Sequence, residues 1–357
     1  MIRLDIRPVW RFRSASGERD FDFQLVTILE RIDATSKLTH AAESAEMSYR
    51  HAWNLIADWE RFFGAALVAK EQGRGTRLTP LGKHLLWAAR RAQARLEPEL
   101  ENLAADFARS LDASLSDAVP ALVVHASHDY AVAGLREIAG EAQPIELQYK
   151  GSFDALAALR RGECDLAGFH VAEGALGELM ARRYAECLPL ESHRLIAFAR
   201  REQGFIVRAG NPKGIATVGD LTRGDVRMVN RQRGSGTRAL LEFLLTRAGI
   251  DRAKLRGYDR EETTHAAVAA LIAGNQADAG FGVRAAAEQY RLGFVRVCSE
   301  RYFLACRAED VDAPAITTLL RLLESAPFRA MVAALPGYAA PDAGAIVASF
   351  DATARAG

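Results

Sequence analysis

The chain lacks most of the features that settle a protein's class at a glance. Its charge has almost no sign: 46 Lys and Arg stand against 45 Asp and Glu, a formal net of +1, so the field of the whole molecule selects no partner. No apolar run approaches the ~18 residues needed to cross a bilayer. The basic start "MIRLDIRPVWRFR" has neither the apolar stretch nor the small-residue cleavage site of a secretory leader. A cytoplasmic protein without a membrane partner is expected. Four cysteines, Cys164, Cys187, Cys298 and Cys306, stand without CxxC spacing and read as reduced thiols rather than a disulfide frame. There is no GxxxxGK[ST] phosphate loop, no internal repeat and no low-complexity segment. His125 and His128 stand three apart with no third ligand at a sensible spacing, so no metal is expected. No nucleophile–base pair is visible, which argues against an enzyme and a cofactor.

What is present divides the chain. At 357 residues, 49% hydrophobic and 25% charged, it is an ordinary globular composition with room for two or three domains. Leu25, Ile28 and Leu29 recur at helical spacing near residues 21–32, after a strand or hairpin arm within 2–13. A short helix from about Thr39, a turn at 45–47 and a helix N-capped by Ser48 complete a helix-turn-helix outline. "LVAKEQGRGTRLTPLG" then reads as two strands around the tip Gly73-Arg74-Gly75, a basic wing. From Lys37 to Arg91 nine basic residues face five acidic ones, a modest patch for phosphate backbones. A long helix over about 81–109 carries Leu85, Leu86, Ala89, Leu96, Leu103 and Phe107. That stripe is too thin to fold alone and predicts pairing with a second copy, a homodimer or a tetramer built from two. The polar "RSLDASLSDAVP" is the expected linker.

Beyond Pro120 strands and helices alternate, the pattern of an α/β domain with a largely parallel sheet. "SHRLIAFARREQGFIVRAGNP" breaks it with two strands and no helix, and 310–357 reads as helical. Two α/β lobes joined by extended crossings place a cleft at strand carboxyl ends. The predicted fold is α/β overall. It comprises a winged helix-turn-helix over 1–80, a dimerisation helix and linker over 81–119, and a two-lobed domain over 120–357.

Several segments carry family resemblances. "LTHAAESAEMSYRHAWNLIADWERFFGAALVAKEQGRGTRLTPLGKHLL" resembles the winged-helix DNA-binding domain of molybdate-responsive, ModE-type regulators, relatives of the LysR type, over about residues 20–107. The resemblance implies a double-stranded DNA operator. It puts Ser48, Tyr49, Arg50, His51 and Asn54 at or near DNA, Arg74 and Arg77 on phosphate or the minor groove, and Trp53 and Trp59 in the core. Residues 120–330 resemble the periplasmic-binding-protein type II-like domain of bacterial regulators, related to molybdate- and tungstate-binding proteins. That resemblance is carried by "SHD", "GNPKGI", "NRQRGSGTR" and "THAAVAALIAGNQADAGFG".

Within "NRQRGSGTR", Gly234 and Gly236 let successive N–H groups turn toward a helix N-terminus, which suits an anion, and equally a capped turn. Ser235 and Thr237 add hydroxyls, and Arg233 or Arg238 adds charge. Ser127 and His128, Lys150, Gly151 and Ser152, and His170 follow three other strands toward the same cleft. His265 either reaches the cleft or packs at a helix start, and Asp129, repelled by an oxyanion, caps a helix. The better-known ModE architecture ends in small β-barrels, which residues 120 onward do not resemble. The expected effector therefore widens from molybdate or tungstate to another small anion, or to a larger organic one that would suit the two arginines near the glycine loop. A phosphorylated species and the pterin cofactor that carries molybdenum belong to that set. Together these imply an effector-responsive transcriptional regulator. The alternatives are an enzyme of molybdenum-cofactor or anion metabolism fused to a DNA-binding domain, and a constitutive DNA-binding protein with a ligand-free sensor fold.

Overall fold

Apolar spacing in the first ninety residues builds a small helical core. The computed structural model describes residues 4–14, 17–71, 75–112, 121–140 and 143–347. It divides into two units, one of Arg7–Ala94 and one of Arg95 onward with the first few residues. In the first unit β1 (Arg11–Ser14) and β2 (Gly17–Asp20) form an antiparallel hairpin, followed by α1 (Gln24–Thr35), α2 (Leu38–Ser44) and α3 (Tyr49–Phe63). Leu25, Ile28, Leu29 and Ile32 of α1 pack with Ala41 and Ala42 of α2 and with Ala52, Ile56 and Trp59 of α3. The flank of the hairpin adds aromatic cover: the Phe12 and Phe21 rings lie 5.6 and 5.3 Å from that of Trp59, both edge-on, the favoured geometry for ring pairs. Strands β3 (Val68–Glu71) and β4 (Gly75–Leu78) pair antiparallel. Gly75 is required where β4 docks, because its φ is +84° and a Cβ would lie 2.1 Å from the Ser36 carbonyl oxygen. A 33-residue helix, α4 (Pro80–Asp112), leaves this unit and continues into the second. It outruns the expected end near residue 109, while the rest of the expected linker, 113–120, lies outside the described residues.

The second unit alternates as expected through β5 (Leu122–Ala126), α5 (Tyr130–Ala139), β6 (Ile145–Tyr149), α6 (Ser152–Arg160), β7 (Leu166–Ala172) and α7 (Ala175–Cys187). Next come β8 (His193–Val207), β9 (Met228–Arg231), α8 (Gly236–Arg247), β10 (Glu261–Glu262), α9 (His265–Ala273), β11 (Ala279–Val283), α10 (Arg284–Gln289) and β12 (Gly293–Arg307). It closes with α11 (Pro314–Leu323), α12 (Ala326–Ala333), β13 (Tyr338–Ala339) and β14 (Ile346–Val347). One curled sheet runs in the order β10-β9-β11-β8-β12-β7-β5-β6, with β13 and β14 added against β8.

The sheet is mixed rather than largely parallel. β6, β5 and β7 run parallel at one end and β10, β9 and β11 at the other. Between them β8 and β12, each of 15 residues, run antiparallel to each other and to their neighbours. The two strands expected at 193–213 are one, because β8 passes through both lobes. Gly204 allows this close pairing, since a Cβ there would stand 2.1 Å from the Val295 carbonyl oxygen. Residues 310–357 are helical only to Ala333; two short strands follow, and 348–357 lie outside the described residues. Two parallel halves joined by two crossing strands make two lobes with a seam at the strand carboxyl ends.

Candidate functional site

In the first unit the start of α3 offers one exposed face. Ser48 is the N-cap, its Oγ accepting from the His51 backbone N–H at 3.1 Å. Ser48, Tyr49, Arg50, His51 and Asn54 are all exposed, while Ala52, Leu55, Ile56 and Trp59 face the core. Arg50 forms no ion pair among the described residues. Trp53, expected in the core, is 39% exposed with Lys70 Nζ 4.9 Å from its ring. Its position one turn after Tyr49 places it on the outer face instead. Arg77 is exposed on the wing; Arg74 lies outside the described residues.

In the second unit the predicted loops face one another across the seam. A Cβ on Gly236 would lie 2.6 Å from His170 Cε1 and 3.2 Å from the Tyr184 hydroxyl, and one on Gly151 would lie 3.0 Å from the Gly234 carbonyl oxygen. Only glycines permit this approach. Gly234 has φ +81°, as the turn argument requires. Ser235 caps α8, its Oγ accepting from the Arg238 backbone N–H at 3.2 Å, and Thr237 Oγ1 accepts from Gln203 Nε2 at 3.0 Å. Asp129 caps α5 as expected, accepting from the Ala131 backbone N–H.

The two arginines expected to charge the loop are not brought into this group. Arg238 donates to Glu261 at 2.5 Å and Glu242 at 3.1 Å and lies 4.6 Å from the Tyr258 ring centre. Arg233 is solvent-exposed and pairs with the same Glu261 at 3.5 Å. Both are consumed within their own lobe.

The charge comes from two arginines that pattern reading passed over. Arg201, mid-strand in β8, donates Nε to Glu300 at 2.9 Å and Nη1 to Asp129 at 2.5 Å. Glu300 stands directly across β12 from Arg201 in register and also holds His170 Nδ1 at 2.9 Å. Arg231, the last residue of β9, donates Nε to Gln232 at 3.2 Å and Nη2 to the Thr263 carbonyl at 2.9 Å, and it meets no carboxylate among the described residues. Arg231 Nη1, Arg201 Nη2, His128 Nδ1, His265 Nδ1, the Ser152 and Tyr184 hydroxyls and Gln203 Oε1 are buried with no hydrogen-bond partner. Buried polar groups are nearly always satisfied by protein or ordered water, so these atoms can bond water or a ligand.

Electrostatics agree with the geometry. Burial, and then the nearby Arg201 charge, push the Arg231 guanidinium down to about 9. His128 is pushed down to about 4 by burial and then by Arg231. His265, fully enclosed, lies well below its ordinary value through burial, Arg231 and Arg201. Near neutrality both imidazoles are uncharged beside one guanidinium that makes no ion pair among the described residues. Neutral donors around a cation with no direct carboxylate partner suit a small anion. A signal for Arg201 existed: a doubled arginine in the middle of an apolar run demands a buried partner. Arg231 gave less, being one of three arginines in nine residues. Among the described residues no group of three His, Cys, Asp or Glu is placed to hold a metal, and no helix is long and apolar enough to cross a membrane.

Comparison with known proteins follows the same division. Residues 135–324, more than half of the chain, match the family described as PBP superfamily domain, and residues 23–83 match bacterial regulatory helix-turn-helix protein, lysR family. The uncharacterized protein YvgK of Bacillus subtilis (strain 168) is 32% identical over 191 residues, 54% of this chain; the chain thus spans only 61% of that relative's length. An uncharacterized Clostridium pasteurianum protein, from the 5' region of a 2Fe-2S ferredoxin gene, is 32% identical over 109 residues, 30% of this chain and 96% of its own length. Among solved structures, a mutant of Corynebacterium glutamicum OxyR is 17% identical with a TM-score of 0.42, covering 87% of this chain and 94% of its own.

Proposed function

We propose a function from the premise that this chain belongs to the PBP superfamily and carries a LysR-type helix-turn-helix: it is a transcriptional regulator whose two-lobed domain responds to a small anion. Molybdate and tungstate head the candidates, followed by a phosphorylated metabolite and the molybdenum-bearing pterin. The observation that supports an anion best is Arg231, a buried guanidinium without a carboxylate, ringed by unspent polar atoms from both lobes. An anion there would take hydrogen bonds from Arg231 Nη1, Arg201 Nη2 and the Ser152 and Tyr184 hydroxyls, with His128 and His265 as neutral donors. Ser127, Lys150, Gly151, His170 and the Gly234–Thr237 turn shape the walls.

DNA is read by Ser48, Tyr49, Arg50, His51 and Asn54 at the exposed start of α3, with Arg77 on the wing against phosphate. The dimer forms through α4. Leu86 and Ala89, expected on the pairing stripe, are buried in the first unit's own core, whereas Leu96, Leu103, Phe107 and Leu111 are 38–57% exposed. Their spacing of seven, four and four residues puts them on one helix face for a second copy. Each lobe offers donors to the anion, so binding favours one lobe arrangement and shifts DNA affinity by that difference alone.

The test is a thermal-shift screen of the full chain against molybdate, tungstate, phosphate, sulfate, phosphorylated metabolites and a set of neutral metabolites. A ligand at a hundredfold excess over its Kd adds about 2.7 kcal/mol, a rise of a few degrees. No shift with any oxyanion, with a clear shift for a neutral metabolite, would overturn the anion assignment.

A further inference from the structure

We infer that Asn102, on the second half of α4, is a positioning residue that fastens the effector loop Lys150–Ser152 to α4 and passes that loop's displacements into the helix. The inference rests on the effector reading above for its meaning, but on separate bonds for its geometry. β6 is the terminal strand of the sheet, so one of its edges carries unmatched backbone groups. Asn102 matches them as a neighbouring strand would. Its Nδ2 donates to the Tyr149 carbonyl at 3.0 Å and its Oδ1 accepts from the Tyr149 N–H at 2.7 Å. Further along, Asp106 accepts from Gln148 Nε2 at 2.6 Å, and Arg109 pairs with Glu146. Positions 102, 106 and 109 share one helix face and meet 149, 148 and 146 in reverse order, a polar zipper along the strand edge. Arg136 of α5 adds a pair with Glu101 at 3.0 Å.

The residue held by Asn102 leads directly into the seam. The Tyr149 ring lies 4.9 Å from that of His128. Gly151, two residues on, abuts the Gly234 carbonyl of the other lobe. The other lobe approaches the same stretch of α4. Thr263, whose carbonyl accepts from Arg231, places its Oγ1 at a long 3.5 Å from the Arg95 carbonyl. Between Arg95 and Asn102 the helix advances about 10 Å, and over that length it touches both lobes next to effector-facing residues. A relative lobe shift of an ångström would take these bonds out of range unless α4 followed.

A residue that merely stabilised the fold would not change how the helix responds to a lobe movement, so the test measures that response without any effector. Gly236→Val sets a side chain against His170 and Tyr184 and wedges the lobes apart; Gly151→Val, against Gly234, is a second wedge. Hydrogen exchange of the full chain is followed in peptides covering 95–112 and 152–172. In the parent background either wedge should speed exchange of 95–112 roughly tenfold. With Asn102→Ala that response should shrink to less than twofold, while the response of 152–172 stays. Asn102→Asp, which keeps only the acceptor for Tyr149 N–H, should fall between, and it carries the comparison if the alanine variant does not fold. Equal responses of 95–112 with and without Asn102, or no response in the parent, would overturn the inference. Calorimetry with sodium molybdate forms a separate arm: absence of heat there counts against molybdate as effector and leaves the exchange result to decide the role of Asn102.

Discussion

Replacing Arg231 by methionine should leave the effector-free protein about as stable as the parent while weakening its anion affinity, so the two readouts separate. The guanidinium is held at about 9 against an ordinary 12.5, and a shift of one unit is about 1.4 kcal/mol. Because a guanidinium does not give up its proton near neutrality, that difference remains in the folded state as a burial cost of order 5 kcal/mol. Methionine removes the charge at similar length. It also removes the charged-donor bonds to Gln232 and the Thr263 carbonyl, which at about 1.5–3 kcal/mol each offset most or all of the difference. The net expectation lies between a loss of about 1 and a gain of about 2 kcal/mol, read as a urea midpoint near the parent's at unchanged slope. Anion binding loses a hydrogen bond between charged groups, worth about 1.5–3 kcal/mol, so affinity should drop roughly 10- to 100-fold in calorimetry. A variant destabilised by more than about 1 kcal/mol with its anion affinity intact would make Arg231 a structural residue and refute this reasoning.

Three other outcomes follow from particular residues. His128 is buried neutral, its folded value pushed down to about 4 from 6.5, so the unfolded chain takes up a proton first as the solution is acidified. The stability conferred by the neutral ring is complete above pH 6.5 and is lost progressively toward pH 4, about 3 kcal/mol in all; His128→Gln should flatten that limb of the pH–stability curve, and an unchanged limb would count against it. Arg50→Ala should cost about 1–3 kcal/mol of operator affinity and relax sequence preference while the fold and dimer persist, and a mobility-shift titration matching the parent would remove Arg50 from the interface. Phe107→Glu puts a carboxylate on the exposed face of α4 where Phe107 is 55% exposed. Desolvating that charge at a dimer seam is strongly unfavourable, so sedimentation should show monomer; a persisting dimer would move the interface off α4.

The helix-turn-helix was legible because its information is local. Leu25, Ile28 and Leu29 mark one face of α1, and Ser48 caps α3 through a bond spanning three residues. The crossing strands were half-hidden for the opposite reason. "RREQG" in the middle of β8 has the composition of a turn, and only distant carboxylates, Glu300 99 residues later and Asp129 72 residues earlier, supply the partners that let Arg201 stay in a buried strand. The same blindness misassigned the loop charge. Arg238 adjoins Ser235 and Thr237 in sequence, but its guanidinium turns back to Glu261 and Glu242, whereas Arg231 at a strand end points where no local rule placed it. Asn102 left no trace in the pattern, since its partner is a strand edge 47 residues away.

The most direct measurement is the affinity of the full chain for its operator, obtained by selection from random DNA, with and without the oxyanion that gives the largest thermal shift. Typical allosteric coupling of about 1–3 kcal/mol predicts that the anion moves the parent's dissociation constant at least about fivefold. At an anion concentration near the parent's dissociation constant, the Arg231→Met protein should bind the same DNA with an affinity that the anion changes little, since its own site is then mostly empty. Superimposable parent titrations with and without saturating anion would contradict an anion-responsive regulator, as would an equal shift in Arg231→Met.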